Sequence, residues 1–247
     1  MEENIKIKKA VKRSITLFII VLIIAIVGLV ILRYNVEGEQ NMPFNLSELT
    51  VISSAEGIKK EDSSENKWNV DVCQTNDIYL NIKKNKNYKN TEIIKSIEIK
   101  NITIKDPPLI GNIEIYTPKG EEKIYEYNEE NKINDIIKYY GDTKSDINNF
   151  KISNQGGTII FRIINKTGKT YSSNEDELKH DGTLVNKVGI ENNEIKFKIS
   201  FDLVINLESE LSFIGNVELE LPIGDITTNG VTNLNRNNIK DIVFKRE

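Results

Sequence analysis

The chain has 247 residues, a formal net charge of −4 and a single cysteine. Residues 1–14 hold five basic and two acidic side chains, so the remainder has 28 basic and 35 acidic residues and a net charge of about −7. This balance disfavours binding to nucleic acid or to an anionic lipid surface, and one cysteine excludes an internal disulfide bond.

The first predicted element is an apolar run at residues 15–32 that contains no charged residue. A helix of eighteen residues, at about 1.5 Å rise per residue, is roughly 27 Å long, close to the ~30 Å hydrocarbon core of a bilayer. Apolar side chains surround this helix, so no face of it prefers water. The sequence therefore predicts a transmembrane helix at residues 15–32.

The flanks of this run predict its orientation. The basic residues of the 1–14 tail precede it, whereas Arg33 alone follows it before Glu37 and Glu39. Because basic residues resist translocation, we expect a single-pass protein of the cell membrane, with its N-terminus cytoplasmic and its C-terminal domain extracytoplasmic. A cleaved secretory signal is the alternative, but its apolar region is usually about 7–15 residues long and ends in a small-x-small site, which residues 32–34 do not provide.

Residues 33–44 are predicted to form a short stalk, and residues 45–247 one extracytoplasmic domain. Apolar and polar residues alternate through much of that domain, with the period of a strand that has one wet face. The pattern is clearest in residues 96–104, 111–116, 194–203 and 217–221, while the apolar run at 158–164 suits a central strand. Weaker strand candidates are residues 50–53, 69–73, 78–82, 123–127, 183–188 and 242–244.

Two local features refine this picture. The alternation changes phase at Lys100-Asn101, where a bulge or a turn would fit. One helix is predicted at residues 129–140, because Asn128 is a favourable N-cap, Gly141 suits the end of a helix, and apolar residues recur at helical spacing between them. Residues 173–179 are a candidate for one further helical turn. About ten strands with one covering helix predict an antiparallel β-sandwich of jelly-roll type.

Cys73 and His180 are the only cysteine and the only histidine. An anchored β domain with this pair resembles the sortases, transpeptidases whose mechanism needs a thiolate, a histidine and an arginine close together. In sortases the histidine precedes the cysteine, which follows a TLxTC-like strand end, whereas here Cys73 in VDVCQT comes first. We therefore interpret Cys73 as a small buried residue and expect no catalytic role for either side chain.

Acidic residues cluster in two loops but do not match a known ligand spacing. One cluster surrounds His180 and the other follows residue 141, and neither has the spacing of a zinc site or an EF-hand. We interpret both as solvated loops and predict no metal and no cofactor. The residues concerned are Glu175, Asp176, Glu177 and Asp181 in the first loop and Asp142, Asp146, Asn148 and Asn149 in the second.

Aromatic residues leave carbohydrate binding open, because sugars stack on exposed rings. Packing in a core or at a sheet edge is the commoner use of such rings. The candidates are Trp68, Tyr79, Tyr116, Tyr125, Tyr127, Tyr139, Tyr140 and Tyr171.

The sequence as a whole predicts a membrane-anchored cell-surface protein with a non-enzymatic ectodomain that binds another envelope protein or a wall glycan. Frequent Ile, Asn and Lys are typical of an AT-rich genome, and together with the anchor and the single cysteine they predict a bacterium with a Gram-positive or wall-less envelope. The alternative is an envelope enzyme, either a cysteine transpeptidase or a glycan-active hydrolase with paired carboxylates such as Glu126 and Glu129. The sequence specifies no binding residues, and its only predicted partners are the bilayer and an envelope protein or glycan.

Overall fold

A computed structural model describes residues 2–40, 42–60, 67–118, 127–128, 132–143, 150–178, 183–237, 239 and 241–247. These residues are mainly β. The helices are α1 (Glu2–Gln40), α2 (Thr183–Lys187) and α3 (Ile226–Asn229). The strands are β1 (Phe44–Lys59), β2 (Trp68–Lys84), β3 (Ile94–Asp106), β4 (Asn112–Pro118), β5 (Tyr127–Asn128), β6 (Lys132–Ile133), β7 (Ile136–Gly141), β8 (Lys151–Ile152), β9 (Gly156–Ser173), β10 (Phe197–Leu207), β11 (Ser212–Leu221), β12 (Val231–Arg236) and β13 (Phe244–Arg246).

The strands form two sheets in which antiparallel pairing dominates. The six-stranded sheet has the order β12-β1-β2-β9-β4-β5, with the long strands β2 and β9 at its centre. The seven-stranded sheet includes the path β13-β11-β10-β3-β7-β6, and β8 pairs with β7 in parallel.

The two sheets bury apolar side chains in one shared cluster. Leu49, Leu80 and Phe161 enter it from the six-stranded sheet, and Ile97 and Phe201 enter it from the seven-stranded sheet. The rings of Phe161 and Phe201 meet edge to face, with centroids 5.2 Å apart. Burial of alternate residues on each strand is the reason that the period-two pattern appears in the sequence.

A polar layer divides this cluster from a smaller one at the end of the domain that carries α2 and α3. Ser53, Gln74, Asn76 and Asn165 form the layer, and all four are fully buried. The Ser53 hydroxyl lies 2.7 Å from Asn76 Oδ1, and Asn165 Nδ2 donates to the carbonyl of Ile110 at 3.1 Å. Because buried polar groups need partners, this layer constrains how β1, β2 and β9 align.

The clear strand predictions are confirmed. Residues 112–116 fall in β4, residues 158–164 in the central strand β9, and residues 217–221 in β11, while of the predicted segment 194–203 only residues 197–203 are in a strand, β10. The phase change in β3 is a bulge: Ser200 pairs with Thr103 and Asp202 with Lys100, so two residues of β3 face the single residue Phe201. Asn101, one of these two residues of β3, has a φ of 56°.

The predicted helix at residues 129–140 is wrong over the part that the structure describes. Residues 132–141 form the hairpin β6–β7, while residues 129–131 lie outside the described residues. Asn134 and Asp135 have φ values of 50° and 61°, as a two-residue type I′ turn requires. The spacing of the isoleucines fits a helix, but β7 pairs with β3 and β8, and the burial of the alternate residues Ile137 and Tyr139 is that of a strand.

The weaker predictions have mixed outcomes. Residues 69–73 and 78–82 both belong to the single strand β2. Residues 183–188 were expected to be a strand, but α2 occupies Thr183–Lys187, where the adjacent side chains of Leu184 and Val185 are both buried. A strand would point two such neighbours to opposite faces. Residues 174–178 are not helical, and residues 123–126 and 179 lie outside the described residues.

The segment predicted as a stalk is helical over most of its length. Helix α1 continues to Gln40, and β1 begins at Phe44. Met42 and Phe44 are fully buried in the core, so the β domain begins only two residues after the helix ends.

Tyr139 on β7 connects the two sheets through its hydroxyl. This hydroxyl donates to the carbonyl of Ile160 at 2.5 Å and accepts from the amide of Ile160 at 3.2 Å. Pairing of β4 with β9 ends at Arg162. The Tyr139 hydroxyl therefore makes the backbone hydrogen bonds of Ile160 that a neighbouring strand would otherwise make. Burial raises the pKa of Tyr139, so the hydroxyl stays protonated and can donate.

We predict that Asp135→Gly stabilises the protein by about 0.5 kcal/mol, because glycine adopts positive φ at no steric cost. Asp135→Ala should destabilise it by about 1 kcal/mol. Chemical unfolding of both variants measures these changes. A helix at this position would reverse the order of the two variants, because alanine is about 0.8–1 kcal/mol better than glycine inside a helix.

We predict that Tyr139→Phe lowers the free energy of unfolding by about 1–3 kcal/mol, because it leaves the amide and the carbonyl of Ile160 unpaired. Tyr171→Phe is the matched control, since no hydrogen bond of its hydroxyl is found among the described residues. The control should change stability by less than about 0.5 kcal/mol. Equal effects of the two substitutions in urea unfolding would contradict a special role for Tyr139.

Candidate functional site: the outer face of the six-stranded sheet

The outer face of the six-stranded sheet carries a connected set of polar contacts. On β2 the residues with even numbers point inwards, as Ile78 and Leu80 show by their complete burial. The odd-numbered residues from Cys73 to Asn81 therefore lie on the outer face. Neighbouring strands add outward side chains from β1, β9 and β4 to the same surface.

An ion pair occupies the middle of this face. Asp77 on β2 lies directly opposite Arg162 on β9 in the strand register. Arg162 donates from Nε to Asp77 Oδ1 at 2.6 Å and from Nη2 to Oδ2 at 2.7 Å. Asp77 is only 8% exposed, so this two-point contact is shielded from water. Such planar pairing fixes both side chains, and removal of one partner would leave a buried charge.

Glu56 on β1 continues this polar network. Its Oε1 accepts a hydrogen bond from Thr75 at 2.7 Å and another from Ser54 at 2.9 Å. Its Oε2 lies 3.8 Å from Nη1 of Arg162. Arg162 is thus placed between two carboxylates, and the hydroxyls hold Glu56 in position for it.

A second charged group lies beside β4. Lys166 Nζ is 2.7 Å from Glu114 Oε2, and the Tyr116 hydroxyl donates to the same carboxylate. Burial opposes ionisation of Glu114, but the hydrogen bonds from Lys166 and Tyr116 outweigh it and lower the pKa of Glu114. The hydrogen bond with Glu114 also raises the pKa of Lys166, so the pair is ionised at neutral pH.

A shallow open groove of about 260 Å³ lies on the same face, next to the Asp77–Arg162 pair. It combines one tyrosine ring, a carboxylate, an amide, two threonine hydroxyls and one aliphatic side chain. The residues that line it are Glu48, Thr50, Ile52, Tyr79, Asn81 and Thr158. Asn235 on the edge strand β12 donates to Glu48 Oε1 at 2.7 Å, which fixes one wall.

The groove has the chemistry to hold a neutral polar ligand. An aromatic face favours contact with a sugar ring or an aliphatic chain, while the amide can donate or accept hydrogen bonds and the carboxylate can accept them at defined points. Its openness suits an extended polymer better than a small molecule, because a small molecule needs enclosure to be buried.

Cys73 lies on this face, but its thiol is buried and protonated at neutral pH. Burial, followed by the nearby charge of Asp71, raises the pKa of the thiol to about 11. The side chain is 1% exposed, and its sulfur lies 3.9 Å from the carbonyl oxygen of Asp71. A thiol with this pKa is protonated at neutral pH and is a poor nucleophile. His180, the proposed partner in the sortase-like interpretation, lies outside the described residues.

The other sequence candidates are scattered. Glu126, Glu129, Asp146, Asn148, Asn149 and Asp181 lie outside the described residues. Asp176 pairs with Lys67, and Glu175 and Asp142 are exposed. Among the described residues, no group of three or more His, Cys, Asp or Glu side chains has a geometry that could hold a metal ion.

The aromatic candidates have mainly packing roles. Trp68 and Tyr171 pack against the smaller apolar cluster, and Tyr139 stacks on Phe150 with centroids 5.3 Å apart. Tyr79 is the ring that lines the groove. Tyr125 lies outside the described residues.

Sequence reasoning missed the Asp77–Arg162 pair and Glu56. The outward positions of these residues in alternating strands were the available signal, but their pairing depends on a register that joins residues 85 positions apart. Comparison with protein-family models, with curated proteins and with solved structures found no match to this chain.

We predict that Cys73 in the folded protein reacts with a maleimide at neutral pH far more slowly than in the unfolded chain, because it is buried and protonated.

The raised pKa of Cys73 also makes the stability of the protein depend on pH. The thiol ionises near pH 9 in the unfolded chain and near pH 11 in the folded chain. Between these values unfolding releases a proton, so the free energy of unfolding falls as the pH rises. The free energy of unfolding of the wild type, relative to Cys73→Ala, should therefore decrease from pH 9 to pH 11. Fast labelling of the folded chain, or a pH-independent difference, would contradict this environment.

Proposed function

We propose that this chain is a single-pass cell-surface protein that is anchored by α1 and binds another envelope protein or a wall glycan through its β domain. The observation that carries the proposal is the exposure of α1. Residues Val11–Ile31 have a mean hydropathy of 3.2, and none of that span is buried against the protein. Leu17 and Phe18, for example, are 65% and 68% exposed. Exposure of such apolar side chains is unfavourable in water and favourable in hydrocarbon.

The proposed orientation places the β domain outside the cell. It rests on the basic residues that precede the helix, such as Lys9, Lys12 and Arg13, because such residues stay on the cytoplasmic side. The ectodomain is proposed to be a β-sandwich of jelly-roll type. Support comes from two sheets that share one apolar cluster, with facing rings from Phe161 and Phe201.

The proposed binding surface is the outer face of the six-stranded sheet, centred on the groove beside Tyr79. The fixed ion pair of Asp77 and Arg162 makes the adjacent surface rigid, so a ligand would meet groups already in place. A non-enzymatic role is favoured over a cysteine transpeptidase, because the raised pKa of Cys73 opposes the formation of a thiolate.

The orientation is tested with two single-cysteine variants in a Cys73→Ala background. Thr91→Cys, in an exposed loop of the β domain, should react with a membrane-impermeant maleimide on intact protoplasts. Ser14→Cys, on the other side of the apolar run, should react only after the membrane is permeabilised. The reverse pattern would contradict the proposed orientation, and labelling of both before permeabilisation would contradict a single span.

The binding surface is tested by sedimentation of the detergent-solubilised full chain with purified cell-wall sacculi. Tyr79→Ala should weaken retention about tenfold or more if the ring contacts the glycan. Tyr140→Ala is the matched control, because Tyr140 points outwards from the other sheet and should leave retention unchanged. If the partner is a protein, a photo-crosslinking residue at Asn81 should capture it in intact cells, whereas one at position 140 should not. Failure of both arms at the groove would overturn this surface.

A further inference from the structure

We infer that a lysine-rich loop at the membrane-facing end of the β domain seats this domain on anionic lipid headgroups. The inference rests on the proposed anchoring by α1. This loop, the lysine loop, consists of residues 83–89 (KKNKNYK), of which Lys83 and Lys84 are the last two residues of strand β2. It contains four lysines, one tyrosine and no acidic residue, in contrast to the net negative charge of the chain as a whole.

Hydrogen bonds fix the lysine loop to the point where the chain leaves the helix. The amide of Asn85 donates to the carbonyl of Pro43 at 2.8 Å, and Asn85 Nδ2 donates to the carbonyl of Met42 at 2.9 Å. Both acceptors lie within three residues of Gln40, the last residue of α1. The loop is therefore held at the membrane-facing end of the domain and cannot move away from the anchor independently.

The internal geometry of the loop turns its lysines outwards. Asn87 donates its amide to Asn85 Oδ1 at 3.0 Å, and Tyr88 donates its amide to the carbonyl of Asn85 at 3.1 Å, so the chain makes a tight turn. Lys83, Lys86 and Lys89 are exposed. Among the described residues none of these three has an ion-pair partner.

The distance from the bilayer is short enough for these charges to act. Helix α1 continues for nine residues beyond Ile31, the end of the apolar span, which corresponds to about 13 Å. The headgroup layer fills roughly 5–8 Å of this distance. The remaining gap is comparable to the Debye length of about 8 Å at physiological ionic strength, and a flexible four-carbon lysine stem shortens it further.

Acidic residues near this end of the domain lie on other elements, with Glu37 and Glu39 on α1 and Glu247 after β13. Glu208 and Glu210 follow β10, and Glu92 precedes β3 in the seven-stranded sheet. Glu210 is already paired with Lys95 at 3.3 Å, and Glu92 accepts a hydrogen bond from Ser209. The lysine loop is thus a local cationic surface, and it would orient the domain on an anionic membrane even though the total charge is negative.

A cavity of about 490 Å³ beside the loop adds to this surface. Tyr88, Lys89 and Arg246 contribute to its lining, and Phe213 forms part of its floor. Tyrosine is a residue that favours the depth of lipid headgroups, where its ring and its hydroxyl meet different environments. The proposed ligand of the whole surface is therefore the anionic headgroup layer of the membrane in which α1 is inserted.

The test uses the full chain in vesicles, with a donor dye on Thr91→Cys in a Cys73→Ala background. Energy transfer to headgroup-labelled lipid should be greater in phosphatidylcholine mixed with phosphatidylglycerol than in phosphatidylcholine alone. The increase should disappear at an ionic strength of about 1 M, where the Debye length is only ~3 Å. Replacement of Lys83, Lys86 and Lys89 by Gln should also abolish it, with about a fivefold loss in the seating equilibrium per lysine.

The matched control replaces Lys59, Lys169 and Lys187 by Gln, which removes the same charge from exposed lysines at the opposite end of the domain. This control should retain the full response to phosphatidylglycerol. Flotation of the chain with neutral vesicles separates the two claims. A chain that floats but shows no response to anionic lipid, or that responds equally in both triple variants, overturns the lysine-loop inference alone. A chain that does not float overturns the anchoring and, with it, this inference.

Discussion

The apolar span Val11–Ile31 of helix α1 is not buried against the protein, and this exposure determines the rest of the functional account. Its apolar side chains are exposed over the whole span Val11–Ile31. A helix satisfies its own backbone hydrogen bonds, so the hydrocarbon core of a bilayer can accept it where water does not. Insertion would place Met42 and Phe44, the first buried residues of the β domain, close to the membrane. The end of the domain that faces the lipid is then fixed by the pairing of β1 with β2.

Strand β2 organises the domain on both of its faces. Its inward residues supply apolar packing at Ile78 and Leu80, and Gln74 and Asn76 supply the polar layer between the two clusters. Its outward residues include Asp77, whose two-point pairing with Arg162 joins β2 to β9. The inward residues of β2 thus help to align the strands of the sheet, and its outward residues form part of the candidate binding surface. Its last two residues begin the lysine loop.

The sequence predicts features that depend on local pattern. Period-two alternation located the main strands, and the broken phase at Lys100-Asn101 located a bulge, because burial on one face is recorded in the order of the residues. The helix predicted over the hairpin at residues 132–141 is wrong, because apolar residues recur there at helical spacing although alternate residues of β7 are buried and Asn134 and Asp135 form the turn.

Contacts that depend on the register between strands could not be predicted from the sequence. The pairing of Asp77 with Arg162, the bond from Tyr139 to Ile160 and the attachment of Asn85 to Met42 each join residues that are distant in sequence or in different elements. Net charge alone does not reveal the lysine loop either. The chain is acidic in total, and only the pairing of β2 with β1 places the lysine loop next to the anchor.

Alkaline carbonate extraction of cell membranes that contain the full chain tests the central claim most directly. An inserted helix stays in the membrane pellet, because alkali removes ionic contacts but not burial in hydrocarbon. The account predicts that the wild type and a Val21→Leu, Ile24→Leu control remain in the pellet. It predicts that Val21→Asp with Ile24→Asp is released, since each carboxylate at the centre of a span costs about 2.5–3.5 kcal/mol. Release of the wild-type chain into the soluble fraction would contradict the claim that α1 is a membrane anchor.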